Sequence, residues 1–210
     1  MEENKFIQII ESNSVALASD LVEISLDSFI SNETLKDIPV IGTITKLLSI
    51  GYSINDKIFI RKLIRFLSEL NGLEQNFILK EIKYLDDSSE YNHKVGEKLL
   101  ELITRIDSEG KPEILGKLFR NFIMKNISQY DFLKLSDIVE KVFYYDLILL
   151  KECKNDKFYI NLDEELYNFG LIEGKGMGTF NSNDEERAEF EKTTYLITER
   201  GKKILEYGLK

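Results

Sequence analysis

Cys153 and His93 are the chain's single cysteine and single histidine, the side chains most often used as nucleophile and base. Nucleophilic catalysis needs such a pair within hydrogen-bond reach and oriented by a third group. These two stand far apart in the sequence, and neither lies in a recognisable motif. Cys153 follows the leucine-rich run "DLILLKE" and reads as a core or boundary residue. His93, inside "SSEYNHK", reads as a solvated residue at a helix start. One cysteine allows no intrachain disulfide and no thiolate zinc cluster, and one histidine allows no histidine-rich metal site.

Carboxylates are plentiful but sit as neighbours: Asp86–Asp87, Glu164–Glu165 and Asp184–Glu185–Glu186. Glycosidases and Mg²⁺ sites draw their acids from separate elements that converge on one point. Adjacent acids in a polar stretch read as solvated charge. "EIK" (Glu81–Lys83) and "FEK" (Phe190–Lys192) imitate part of a nuclease pattern, but the first falls on a predicted helix. "EGKGMG" (Glu173–Gly178) lacks the spacing and the Lys-Ser/Thr of a phosphate-binding loop, and reads as a hairpin turn. The residues therefore predict no catalytic, cofactor-binding or metal-binding site, and a non-enzymatic protein.

Cations give a sharper pattern. In "DKIFIRKLIRFLSEL", Lys57, Arg61 and Arg65 recur every fourth residue and stack as a stripe on a helix whose apolar face carries Phe59, Leu63, Phe66, Leu67 and Leu70. With Lys62, this stripe is the candidate contact for anionic lipid headgroups or for a partner. Ahead of it runs "DIPVIGTITKLLSIGYSIN", whose only charge after Asp37 is Lys46. Two readings stay open for residues 38–54. They form a central core helix, with the stripe pairing acids elsewhere, or they contact a membrane. A helix of this length reaches about 25 Å, short of a hydrocarbon core of about 30 Å.

The net charge of −9 and a pI near 4.9 argue against an extended grip on nucleic acid, which needs a basic surface. Residues 36–70 run against that trend, with six basic and three acidic side chains. "MEENKFIQII" has no secretory pattern, and no long uncharged apolar run predicts a spanning helix. The expected location is cytoplasmic, with peripheral membrane contact under the second reading. The expected partner is another protein or a second copy of the chain.

The elements that must position these residues are mostly helical, since only two prolines interrupt a chain rich in Leu, Ile, Lys and Glu. Apolar spacing predicts helices over 14–30, 56–70, about 73–85, 90–107 and 112–127, with "DSEGKP" (Asp107–Pro112) a loop between the last two. After about Ser128 the texture changes. "YDFLKLSDIVEKVFYYDLILLKE" predicts one or two helices, "KFYINL" a short strand, and "DEELYNFG" a short helix closed by Gly170. "LIEGKGMGTF" and "TTYLIT" predict two strands around a polar loop, and "ERGKKILEYGL" a final helix.

"LYNFGLI" followed by "TTYLITERGKKIL" resembles the ending of many bacterial winged-helix domains, where a helix meets "GLI", a wing follows and "Y-x-L-T-x-x-G" opens the last helix. The resemblance covers about the last 50 residues. "LKDIPVIGTI" and the layout of an apolar helical region before such a module resemble proteins of the abortive-infection alpha family. That likeness implies a bacterial or phage-borne protein of host–phage conflict. The fold expected is mainly α: a multi-helix bundle over 1–127, then a winged-helix-like α+β module with a short β-hairpin over 128–210. The winged-helix likeness alone suggests DNA binding. Against it, "NLDEELYNFG" places Asp163, Glu164 and Glu165, and no base, on the helix that would enter the groove, and "NDEERAEFEK" makes an acidic wing. A protein-contacting, regulatory role is therefore expected, with a membrane-active effector and a DNA-binding regulator as the alternatives.

Overall fold

The computed structural model describes residues 5–11, 54–87, 95–158, 163–174 and 195–210. The predicted helix over 14–30, the apolar run 38–53, His93 and the acidic loop 175–194 lie outside the described residues. What is described is mainly helical, with a small three-stranded antiparallel sheet. The chain divides into two compact units at Phe132/Leu133.

The first unit holds α1 (Lys5–Glu11), α2 (Ile54–Ser68), α3 (Gln75–Asp87), α4 (Val95–Arg105) and α5 (Lys111–Ile123). In α2, Ile60, Leu63, Ile64 and Leu67 recur at steps of three and four and are almost wholly buried. The expected apolar face included Phe59, which is only half-buried. Full burial of each such side chain contributes about 1.5–3 kcal/mol.

The main contact of α2 is with α5, and Gly116 lets them approach closely. A Cβ there would stand 2.6 Å from the Phe66 carbonyl oxygen and 2.9 Å from Glu69 Cβ. Around this crossing Phe66 and Phe119 lie 5.7 Å apart, Phe119 and Phe132 5.8 Å, and Phe122 stacks on Phe132 at 4.9 Å. The predicted helix over 112–127 stops at Ile123. Lys125 turns into the left-handed region (φ 65°), and the Asn126 N–H donates to the Asn121 carbonyl at 2.9 Å, so the helical ladder ends there.

Helix α6 (Gln129–Lys141) crosses the division between the units, and Phe132, seated on Phe122, belongs to the first. The second unit continues with α7 (Tyr144–Leu149), a 3₁₀ turn (Leu150–Glu152), β1 (Lys157–Phe158), α8 (Glu164–Asn168), β2 (Ile172–Gly174), β3 (Tyr195–Ile197) and α9 (Glu199–Ile204), which ends in a π-turn. The strands stand in the order β1–β3–β2, with Phe158 opposite Tyr195 and Ile172 opposite Ile197. Tyr195 and Ile197 are buried and Leu196 is half-exposed, as strand alternation requires.

Thr198 holds the corner between β3 and α9. Its hydroxyl accepts from the Gly201 N–H at 3.1 Å as an N-cap and donates to the Gly170 carbonyl at 2.7 Å. Gly201 is pressed against the β2 approach: a Cβ there would stand 2.2 Å from the Leu171 carbonyl oxygen. Among the described residues, no helix is long and apolar enough to cross a membrane.

Candidate functional site

The basic helix α2 meets acids at the start of α5. Arg61 Nη1 lies 2.5 Å from Glu109 Oε1, and Arg65 reaches Glu113 Oε1 at 2.7 Å and Glu109 Oε2 at 3.4 Å. The hydrogen bond from Arg61, helped by the charges of both arginines, holds Glu109 below the usual carboxylate range despite some desolvation. Lys62 turns inward and is 8% exposed. Its amine donates to the Ile106 carbonyl and lies 3.5 Å from that of Thr104. Carbonyls at the end of α4 lack intrahelical partners and carry the negative end of the helix dipole, so a cation suits them. Burial lowers the Lys62 pKa, with Asp107 opposing the shift.

Lys111, itself buried, holds Asp107 at 2.7 Å, and that hydrogen bond lowers the Asp107 carboxyl. Of the predicted stripe, then, Arg61 and Arg65 stand at the surface in ion pairs, Lys62 serves the interior, and the Lys57 side chain lies outside the described residues. The unit neutralises these cations with its own carboxylates and carbonyls.

An open cavity of about 770 Å³ on the same unit is lined by Lys80, Glu81, Tyr84, Phe122, Lys125 and Gln129, among others. Lys125 pairs with Glu81 and stands 5.6 Å from the centre of the exposed Tyr84 ring. The protein itself already answers this cation.

A different arrangement occupies the start of α7. Phe143, Tyr144 and Tyr145 follow one another; Phe143 is the N-cap, with non-helical backbone (φ −58°, ψ 136°), Tyr144 and Tyr145 open α7, and Val142 and Leu147 take the buried side. Phe143 is left 54% exposed and Tyr145 68%. The three rings form a ledge, with Tyr145 centred 5.5 Å from Phe143 and 5.4 Å from Tyr144. Beside it lies the first turn of α8. There Asp163 caps its own helix by accepting from the Leu166 N–H at 2.9 Å. The Glu165 carboxylate accepts from the Phe143 N–H at 2.8 Å, pinning the two helix starts together.

Asp146, in the first turn of α7, faces this carboxylate pair. Burial raises its pKa, and the negative charges of Asp163 and Glu165 and a hydrogen bond with Glu165 push it further. Asp146, Asp163, Glu164 and Glu165 make no ion pair with any described residue. An exposed aromatic surface beside acids that no described cation pairs is chemically suited to a cation carried on an apolar stem.

Cys153 is half-buried, and burial followed by the charge of Asp156 raises its thiol pKa. It is a neutral thiol near pH 7, the unreactive form. Asp86 and Asp87 end α3, and Glu164–Glu165 open α8. Among the described residues no three His, Cys, Asp or Glu side chains group closely enough to hold a metal ion. Comparison of the chain with protein families, with curated proteins and with solved structures finds no match in any of the three.

The aromatic ledge is the feature that hydrophobic periodicity passed over. "FYY" falls inside the stretch predicted as one or two helices, whereas the structure breaks the helix there and leaves Phe143 as the N-cap of α7.

Proposed function

We propose that this chain is a non-enzymatic interaction or regulatory protein that acts through a protein partner, and that its second unit is a winged-helix-like module turned to protein contact. The observation that carries the reading is the exposed aromatic ledge Phe143–Tyr145, large rings left in solvent beside a rigid, hydrogen-bonded corner. Aromatic side chains dominate the energetics of protein interfaces, and leaving several exposed is costly without a partner to cover them.

The element order of two helices, strand, helix, two strands and helix, with strand order β1–β3–β2, supports the winged-helix part. The acids on α8 weigh against a nucleic-acid role, since a groove-entering helix needs donors to phosphates and base edges. The setting in bacterial phage defence rests on the family likeness of "LKDIPVIGTI" and the chain's layout.

Placing a photocrosslinking amino acid at Tyr145, and at exposed Tyr84 as a control, tests the reading inside bacteria. The expected result is a discrete protein adduct from position 145 only, identified by mass spectrometry and rebuilt from purified components. An adduct with a second copy would make the partner the chain itself. Absence of any protein adduct, together with retardation of duplex DNA or sedimentation with anionic vesicles, would overturn it.

A further inference from the structure

The geometry points to the Phe143–Tyr145 ledge as the docking face for a lysine- or arginine-bearing segment of a partner protein. This rests on the reading of the chain as an interaction protein and names the chemistry of what it binds.

The ledge supplies ring faces. Phe143 and Tyr145 are more than half exposed, and their tilted packing leaves π surface toward solvent. A cation over such a face within about 6 Å is attracted by the ring quadrupole, and its methylene stem adds apolar contact. The charge beside the rings selects the sign of the partner. Asp146 looks across at Asp163 and Glu165, and no described Lys or Arg pairs with any of the three. The contrast with α2 is instructive, because Glu109 and Glu113 there have arginines within 2.7 Å. The orientation is also fixed. The Glu165–Phe143 hydrogen bond and the Asp163 cap hold both helix starts, so the face needs little reordering on binding. Burial raises the Asp146 pKa and the charges of Asp163 and Glu165 raise it further, a crowding that adds to the argument, since an arriving cation would relieve it.

The test uses the full chain, ¹⁵N-labelled, with a short peptide of alternating lysine and glycine as the probe. Amide signals of Phe143–Asp146 and Glu164–Leu166 are expected to shift in a saturable manner, with weaker binding as salt rises. Tyr145→Ala should weaken binding about two- to fivefold, the range for loss of one exposed cation–π contact. Asp146→Asn should weaken it in the same direction, and far-UV circular dichroism should show both variants folded. The matching glutamate–glycine peptide should leave the corner unshifted. The inference is overturned if the lysine peptide instead shifts Asp107–Glu113, if the glutamate peptide shifts the corner equally, or if Tyr145→Ala binds as tightly as the parent. Should the corner ignore the lysine peptide while the crosslinked partner still binds, the cationic assignment fails and the interaction reading survives.

Discussion

In the helical unit, Asp107 and Glu109 lie against Lys111, Arg61 and Arg65, and both carboxyls are held below their ordinary range. In the second unit, Asp146 lies against Asp163 and Glu165, and its carboxyl is driven the other way. The same residue types occupy both places; the neighbours differ. Where opposite charges meet across two helices, as α2 and α5 do, the charges are spent on holding the fold. Where like charges collect beside exposed rings, the fold leaves an electrostatic demand that only something outside the described residues can meet. Glu69 is raised within the helical unit as well, chiefly by burial, with the charge of Glu113 adding to the shift and Lys117 and Arg120 opposing it.

The contrast can be broken at several depths. Phe119→Ala removes the ring at the centre of the helical unit's aromatic cluster and is expected to cost about 3–5 kcal/mol in urea denaturation. A loss under about 1 kcal/mol would mean that this cluster is not the packed core that α2 and α5 share.

Lys62→Met tests whether the inward lysine is structural. Losing the donor to the Ile106 and Thr104 carbonyls should cost about 1–3 kcal/mol. The parent protein should also gain stability as pH rises through the alkaline window. There the lowered folded pKa of Lys62 lies beneath its ordinary value, so the unfolded chain holds the extra proton. Lys62→Met should abolish that slope, and an unchanged slope would place the lysine elsewhere.

The finest cut pairs Glu109→Gln with Asp146→Asn. The first removes an exposed but doubly paired carboxylate and should destabilise by about 0.2–1 kcal/mol, an effect that salt reduces. The second removes a crowded charge and should stabilise slightly, within about 0.5 kcal/mol. Acid should separate them as well. A lowered carboxyl contributes stability above its unfolded pKa and loses it as pH falls through the folded value, so Asp107 and Glu109 favour folding at neutral pH. A raised carboxyl contributes below the unfolded pKa and loses that contribution as pH rises through the folded value, so Asp146 disfavours folding at neutral pH. Two variants shifting stability in the same direction would erase the distinction.

Much of the architecture was legible in the sequence. "TTYLITERG" announced a strand followed by a capped helix, and Thr198 and Gly201 show why those residue types recur there. The hydroxyl caps the helix, and only a glycine fits under the Leu171 carbonyl. The placing of Arg61 and Arg65 on one helix was legible as well, since spacing by four needs only helix geometry. Pairing with acids elsewhere was one of the two readings, but the partners were not legible, because Glu109 and Glu113 approach through the crossing of two helices and no local pattern records that crossing. The inward turn of Lys62 escaped for the same reason, as it depends on where α4 ends. The aromatic corner was hidden by its composition. Phe and Tyr read as core to any hydrophobicity count, and their exposure follows from the break between α6 and α7 at Val142–Phe143, which apolar spacing does not mark.

The measurement closest to the central claim is a side-chain carboxyl titration by ¹³C NMR, following Asp107, Glu109 and Asp146 in one sample. Asp107 and Glu109 are expected to titrate below ordinary carboxylates and Asp146 above them. Adding the lysine–glycine peptide should lower the Asp146 midpoint and leave the other two in place. An Asp146 that titrates with or below Glu109, and does not move when the peptide is added, would contradict the account.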